Sequence, residues 1–75
     1  MFNVTVLNYE KVLFTGQAKQ AILPCVDGEL SILEFHQPLL AALRDGILKI
    51  DEENIPVSGG LAGMARNELI VLCEG

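Results

Sequence analysis

Positive charge is what this sequence has least of. Five lysines and arginines stand against ten aspartates and glutamates, for a net charge of −5. The five are Lys11, Lys19, Arg44, Lys49 and Arg66, spread along the chain rather than clustered. Nucleic-acid binding is driven by basic side chains neutralising phosphates, so that function class is excluded. Direct attachment to an anionic membrane surface is disfavoured on the same ground. Tryptophan is absent and aromatics make up 5% of the residues, so Leu, Ile, Val and Ala must fill the interior. No apolar run approaches the ~18 residues of a membrane-spanning helix. The start, MFNVTVLNYEK, lacks a basic segment followed by an apolar one, so no signal peptide and a cytosolic placement are expected.

Two cysteines, Cys25 and Cys73, are too few for a secreted disulfide scaffold, and buried or half-buried free thiols are expected. With the single histidine, His36, they offer at most three zinc ligands and no close cysteine pair, so no metal site is expected. Cys25 and His36 could in principle form a nucleophile–base pair, with Gln37 or Asn54 orienting the base. A loop histidine near an unrelated thiol is the favoured reading. The run Asp51 to Glu53 lacks the glycine and terminal glutamate of a calcium loop and reads as a solvated turn. Gly59, Gly60 and Gly63 precede strand-like sequence rather than a helix, which makes a bulge or close backbone approach the expectation, not a phosphate cradle.

What is abundant is apolar surface, at 51% of 75 residues. That length makes one domain, residues 1–75, and a chain so short buries only about 60–65% of its unfolded surface. Some of the apolar surface is therefore expected to meet a partner. The alternative is an unusually apolar core in a monomer.

The organisation is strand-like throughout. FNVTVL (2–7) alternates apolar and polar residues with period two. Strand segments follow at 11–16, 17–24 and 29–33, divided at Gly16 and at an Asp27-Gly28 turn. Pro38 places residues 35–37 in an irregular corner. LLAALRDG (39–46) has helical composition, yet its shortness between Pro38 and Asp45-Gly46 favours a strand ending in a tight turn. Segments 46–51, 55–59, 61–66 and 68–73 complete eight or nine short strands, with acidic residues 51–54 as a hairpin tip and Asn67 as the last turn. Such spacing predicts an all-β, antiparallel two-sheet sandwich or flattened barrel.

The densest stretch is residues 23–50, punctuated by Pro24, Gly28, Pro38 and Gly46. Its order of Leu23-Pro24, Gly28-Glu29, Ile32-Leu33, His36-x-Pro38-Leu39-Leu40, Leu43, Gly46, Leu48 and Ile50 resembles the epsilon subunit of bacterial F-type ATP synthases, in its N-terminal domain. Phe14-x-Gly16, Val57-Ser58-Gly59-Gly60-Leu61 and Asn67 with Ile70, Val71 and Leu72 extend the resemblance over residues 2–73. Cys25 and Ser31 stand where the family commonly has glycine, and Glu34-Phe35 replaces a usual Pro-Gly.

The resemblance implies a sandwich of about ten strands in two five-stranded sheets, at the foot of a rotating central stalk. It implies a non-catalytic rotor subunit bridging the gamma subunit and the c-ring, and so coupling ion-driven ring rotation to ATP synthesis. Asp27, Gly28, Glu29 and Ser31 correspond to the region facing the c-ring. His36, Pro38, Leu39 and Leu40 correspond to a region near gamma. Catalytic, metal and cofactor residues are not expected. Membrane association, on the cytoplasmic face of the bacterial inner membrane, would come only through the complex. Family members usually continue into a pair of C-terminal helices, and no nucleotide site is expected on these 75 residues. The rival expectation is a free-standing sandwich that binds a small molecule or peptide.

Overall fold

The computed structural model describes residues 1–34 and 37–74, and every regular element among them is a strand. There are seven: β1 Phe2–Leu7, β2 Val12–Ala18, β3 Gln20–Cys25, β4 Gly28–Leu33, β5 Leu39–Ile50, β6 Glu53–Ala65 and β7 Glu68–Cys73. They form one sheet in the order β2-β1-β7-β6-β5-β3-β4. Pairing is antiparallel except between β1 and β7, which run parallel. The all-β class is as expected, but seven strands replace the ten anticipated and the sheet is continuous and mixed.

A flat sheet would be one layer thick. The chain instead measures 27 × 26 × 21 Å, so the sheet is folded over onto itself. Phe2, Val4 and Val6 of β1 share a single core with Ala21 and Leu23 of β3 and Ile32 of β4, although these strands lie far apart in the sheet order. The amino terminus of Met1 pairs with the Glu34 carboxylate just beyond β4, closing the two layers at one end.

The fold-over lies within β5 and β6. Their register is constant from Leu39↔Met64 to Ile50↔Glu53, so the two strands behave as one long ribbon. The inward residues nevertheless change parity along it. On β5 Leu43 is buried in the first half, but Leu48 and Ile50 in the second. On β6 Val57 is buried before the switch, but Ala62 and Met64 after it. The switch falls at Arg44–Asp45 and Gly59–Gly60, and both glycines have positive φ, of 80° and 133°. A Cβ on Gly60 would lie 2.1 Å from the Leu72 carbonyl oxygen, so backbone contact there requires glycine. The expected turn at Asp45-Gly46 and the expected break at 59–60 are therefore mid-strand bends. A parity switch looks, locally, like the end of an element.

Two other boundaries move. β2 continues through Gly16 to Ala18, held by its pairing with β1 at Val4↔Gly16, Asn3↔Gln17 and Phe2↔Ala18. The break comes at Lys19, where the Lys19 and Gln20 amides donate to the Asp51 carboxylate at 3.1 Å each. Asp51, at φ 52°, is thus a latch between turns rather than simply a solvated tip. At β3–β4 the turn residues are Val26 and Asp27, flanked by the Cys25↔Gly28 pair. Pro24 lies inside β3 where pairing with β5 shifts between Ile22 and Cys25, so its missing amide breaks no regular ladder. The β6–β7 turn places Arg66 and Asn67 at φ 54° and 62°, the left-handed pair a two-residue hairpin requires.

Candidate docking face

β7 has the sequence ELIVLC, and beyond Glu68 it is apolar on both sides. Its inward residues are Leu69, Val71 and Cys73, while Ile70 and Leu72 point out. A strand apolar on both faces is the pattern of one covered on both. Among the described residues only one side is covered.

Cross-strand register carries the outward apolar character across the layer. Leu72 lies beside Leu61 of β6 and Leu7 of β1, Leu61 beside Ala42 of β5, and Leu7 beside Val12 of β2. The adjoining row runs Leu40, Gly63, Ile70, Thr5 and Thr15. Exposure is 78% for Leu40, 51% for Leu61, 48% for Ile70 and 47% for Leu72. Tyr9, from the β1–β2 connection, is 82% exposed and shares a cleft with Leu61 and Leu72. These residues form a contiguous outer face rather than scattered single side chains, the signature of an interaction surface. Apolar surface beyond what the core holds, as expected from the composition, is therefore present.

Of the sequence-derived contact residues, Asp27, Gly28, Glu29 and Leu40 fall at one border of this face. Asp27 lies in the β3–β4 hairpin tip, and Gly28, Glu29 and Ser31 follow, exposed on the edge strand β4. Pro38 is exposed before β5, and Leu40 points outward. Leu39 turns the other way and packs against the core. His36 lies outside the described residues. Asp27, Gly28, Glu29 and Leu40 line one cleft, so the structure brings together residues assigned to two different partners. The Val26 amide donates to the Ala42 carbonyl at 3.0 Å, which fixes the hairpin tip against β5. Sequence reasoning did not identify Leu61, Ile70 and Leu72 as contact residues. The signal that could have found them is the two-sided apolar pattern of β7.

Cys25 is buried at the base of that hairpin, and Cys73 is buried with its Sγ 3.6 Å from the Leu7 carbonyl oxygen; both are free thiols. Burial pushes the Cys25 thiol above its ordinary pKa, the Asp27 carboxylate pushes it further, and Arg44 opposes them. A catalytic nucleophile needs the opposite shift. Among the described residues no group of three or more His, Cys, Asp and Glu side chains is placed to hold a metal ion. Nor, among the described residues, is any helix long and apolar enough to cross a membrane.

Comparison with known proteins gives the face a context. The family described as "ATP synthase, Delta/Epsilon chain, beta-sandwich domain" matches residues 1–75. The chain is 41% identical over 76 residues to the ATP synthase epsilon chain of Microcystis aeruginosa, covering 96% of this chain and 55% of that protein. It is 40% identical to the Bordetella parapertussis epsilon chain over 77 residues, with 96% and 55% covered. The chain thus spans about half the length of these relatives. Among solved structures, a chain in the central stalk/c-ring of the Tetrahymena thermophila mitochondrial ATP synthase superposes with a TM-score of 0.78 at 18% identity, over 97% of this chain and 63% of that one. A chain of the Euglena gracilis mitochondrial ATP synthase OSCP/F1/c-ring assembly gives 0.83 at 18%, over 96% and 49%. At that identity the structures bear on the fold alone. The family match along the whole sequence, joined to a folded-over sheet with one uncovered apolar face, makes this chain a member of the ATP synthase delta/epsilon chain family, in its β-sandwich domain.

Proposed function

We propose that this domain is a non-catalytic rotor element of an F-type ATP synthase, bridging the gamma subunit and the c-ring in the central stalk. The observation that carries the reading is the outward apolar face built from Leu40, Leu61, Ile70 and Leu72, which suits permanent burial against another subunit. Family membership and the central-stalk assembly named for a fold relative support the same role. The mechanism is mechanical. A two-layer body stiffened by one shared core transmits torque from the ring to gamma, and catalysis takes place elsewhere in the complex.

In this reading the apolar face, with Pro38 and Leu40, meets gamma, and His36 and Leu39 are assigned to gamma by the family resemblance alone. The exposed edge at Asp27, Gly28, Glu29 and Ser31 meets polar loops of the ring. The protein then works at the cytoplasmic face of the bacterial inner membrane, attached through its partners. Binding also stabilises a small domain, because a partner that recognises only the folded state shifts the folding equilibrium by mass action. Calorimetric titration of the chain with purified gamma subunit tests the reading. Saturable binding at micromolar concentration or tighter supports it, and no heat of binding at that concentration overturns it.

A further inference from the structure

The clefts around the apolar face are lined by charge of one sign. Three clefts open onto the face. The first holds Tyr9, Leu61 and Leu72 with Glu74. The second holds Gly63 and Ile70 with Glu68. The third holds Leu40 and Ala42 with Asp27 and Glu29. Every charged residue lining the three, among the described residues, is a carboxylate. Arg66 occupies the turn beyond Glu68 without lining a cleft, and the Arg44 guanidinium donates to the Asp45 carbonyl at 3.2 Å.

From this arrangement we infer that the partner surface seated on the face carries an apolar centre flanked by lysine or arginine side chains, positioned against Glu68 at one end and Glu74 at the other. The inference rests on the gamma-docking reading and adds the chemistry of the gamma surface that fits. A second copy of this chain does not satisfy it, since a symmetric dimer through this face would set like-charged borders against each other. An anionic lipid surface is repelled by the same carboxylates. Charges at the rim of an interface act chiefly on the rate of encounter and on its salt dependence, while the desolvated apolar centre sets the lifetime of the complex.

Stopped-flow association of the chain with purified gamma subunit, at low and at high salt, tests the inference. Three proteins are compared: wild type, E68K/E74K and L72D. Glu68 and Glu74 are exposed and lie outside the proposed ring-facing edge, so reversing them leaves that edge intact. The expected result is an association rate about tenfold lower for E68K/E74K at low salt, with the difference shrinking at high salt. E68Q/E74Q gives an intermediate rate and covers any loss of folding in the lysine variant. An unchanged or faster rate in the reversed variant, with L72D still dissociating faster than wild type, overturns the basic-rimmed partner but leaves docking in place. No association of the wild-type chain overturns the docking reading itself. Self-association of the wild-type chain that L72D abolishes would point to a second copy and overturn the inference.

Discussion

Gly60 is the residue on which the fold-over depends most directly. Its φ of 133° is a conformation L-residues rarely adopt, and an added Cβ would meet backbone at Leu72 and Cys73. Strain of that kind costs on the order of 1–3 kcal/mol before any clash is counted. Gly60→Ala is therefore expected to lower unfolding free energy by at least about 2 kcal/mol in urea denaturation, more than Gly63→Ala, whose Cβ would make only ordinary contacts. Cys25 supplies a second test at this scale. Its pKa is raised in the folded state, so the folded chain holds the thiol proton more tightly than the unfolded one. The stability this contributes is complete below the unfolded thiol pKa and is lost as pH rises through the folded one. Urea midpoints should accordingly fall over that alkaline range in the wild type and fall less in Cys25→Ala. Alkylation of Cys25 at neutral pH should run no faster than that of a model thiol.

At the scale of elements, the β5–β6 ribbon was the least legible part of the sequence. Strand β1 followed from its alternation, and Pro38 and Asn67 were rightly read as irregular or turn positions, whereas Pro24, read as the end of a strand, lies inside β3. The ribbon was cut in two on both strands because reading by alternation assumes that one face stays inward, and at Gly59–Gly60 it does not. The Asp51 latch was hidden for a different reason, since it joins residues 31 or more apart in sequence that only the folded turns bring together. Asp51→Ala removes the acceptor for two backbone amides and is expected to cost about 1–2 kcal/mol, with Asp51→Asn losing less because one acceptor oxygen remains. Hydrogen exchange at the Lys19 and Gln20 amides would localise the change. On the edge strand, Glu29→Lys is expected to impair coupling of ion pumping to hydrolysis in the assembled enzyme while leaving the melting temperature of the domain within a few degrees. Equal loss of both would make Glu29 structural rather than a contact.

At the scale of the whole molecule, the composition anticipated more apolar surface than one small core can hold. Its location was not legible, because the exposed and buried members of β7 are chemically alike and only the layering separates them. The resemblance over residues 2–73 pointed to the right family, but it drew attention to the His36–Leu40 corner rather than to the centre of the face. In the proposed function this face is the permanent seat of the gamma subunit. The most direct test is calorimetric affinity for gamma, comparing wild type, L61D/L72D on the face and I47D on the outer side of the other layer, where Ile47 is similarly exposed at 45%. The expected result is an affinity lowered at least about 100-fold by L61D/L72D, on the order of 2.7 kcal/mol, with I47D binding like wild type and all three proteins folded. Wild-type affinity in L61D/L72D, or an equal loss in I47D, would contradict it.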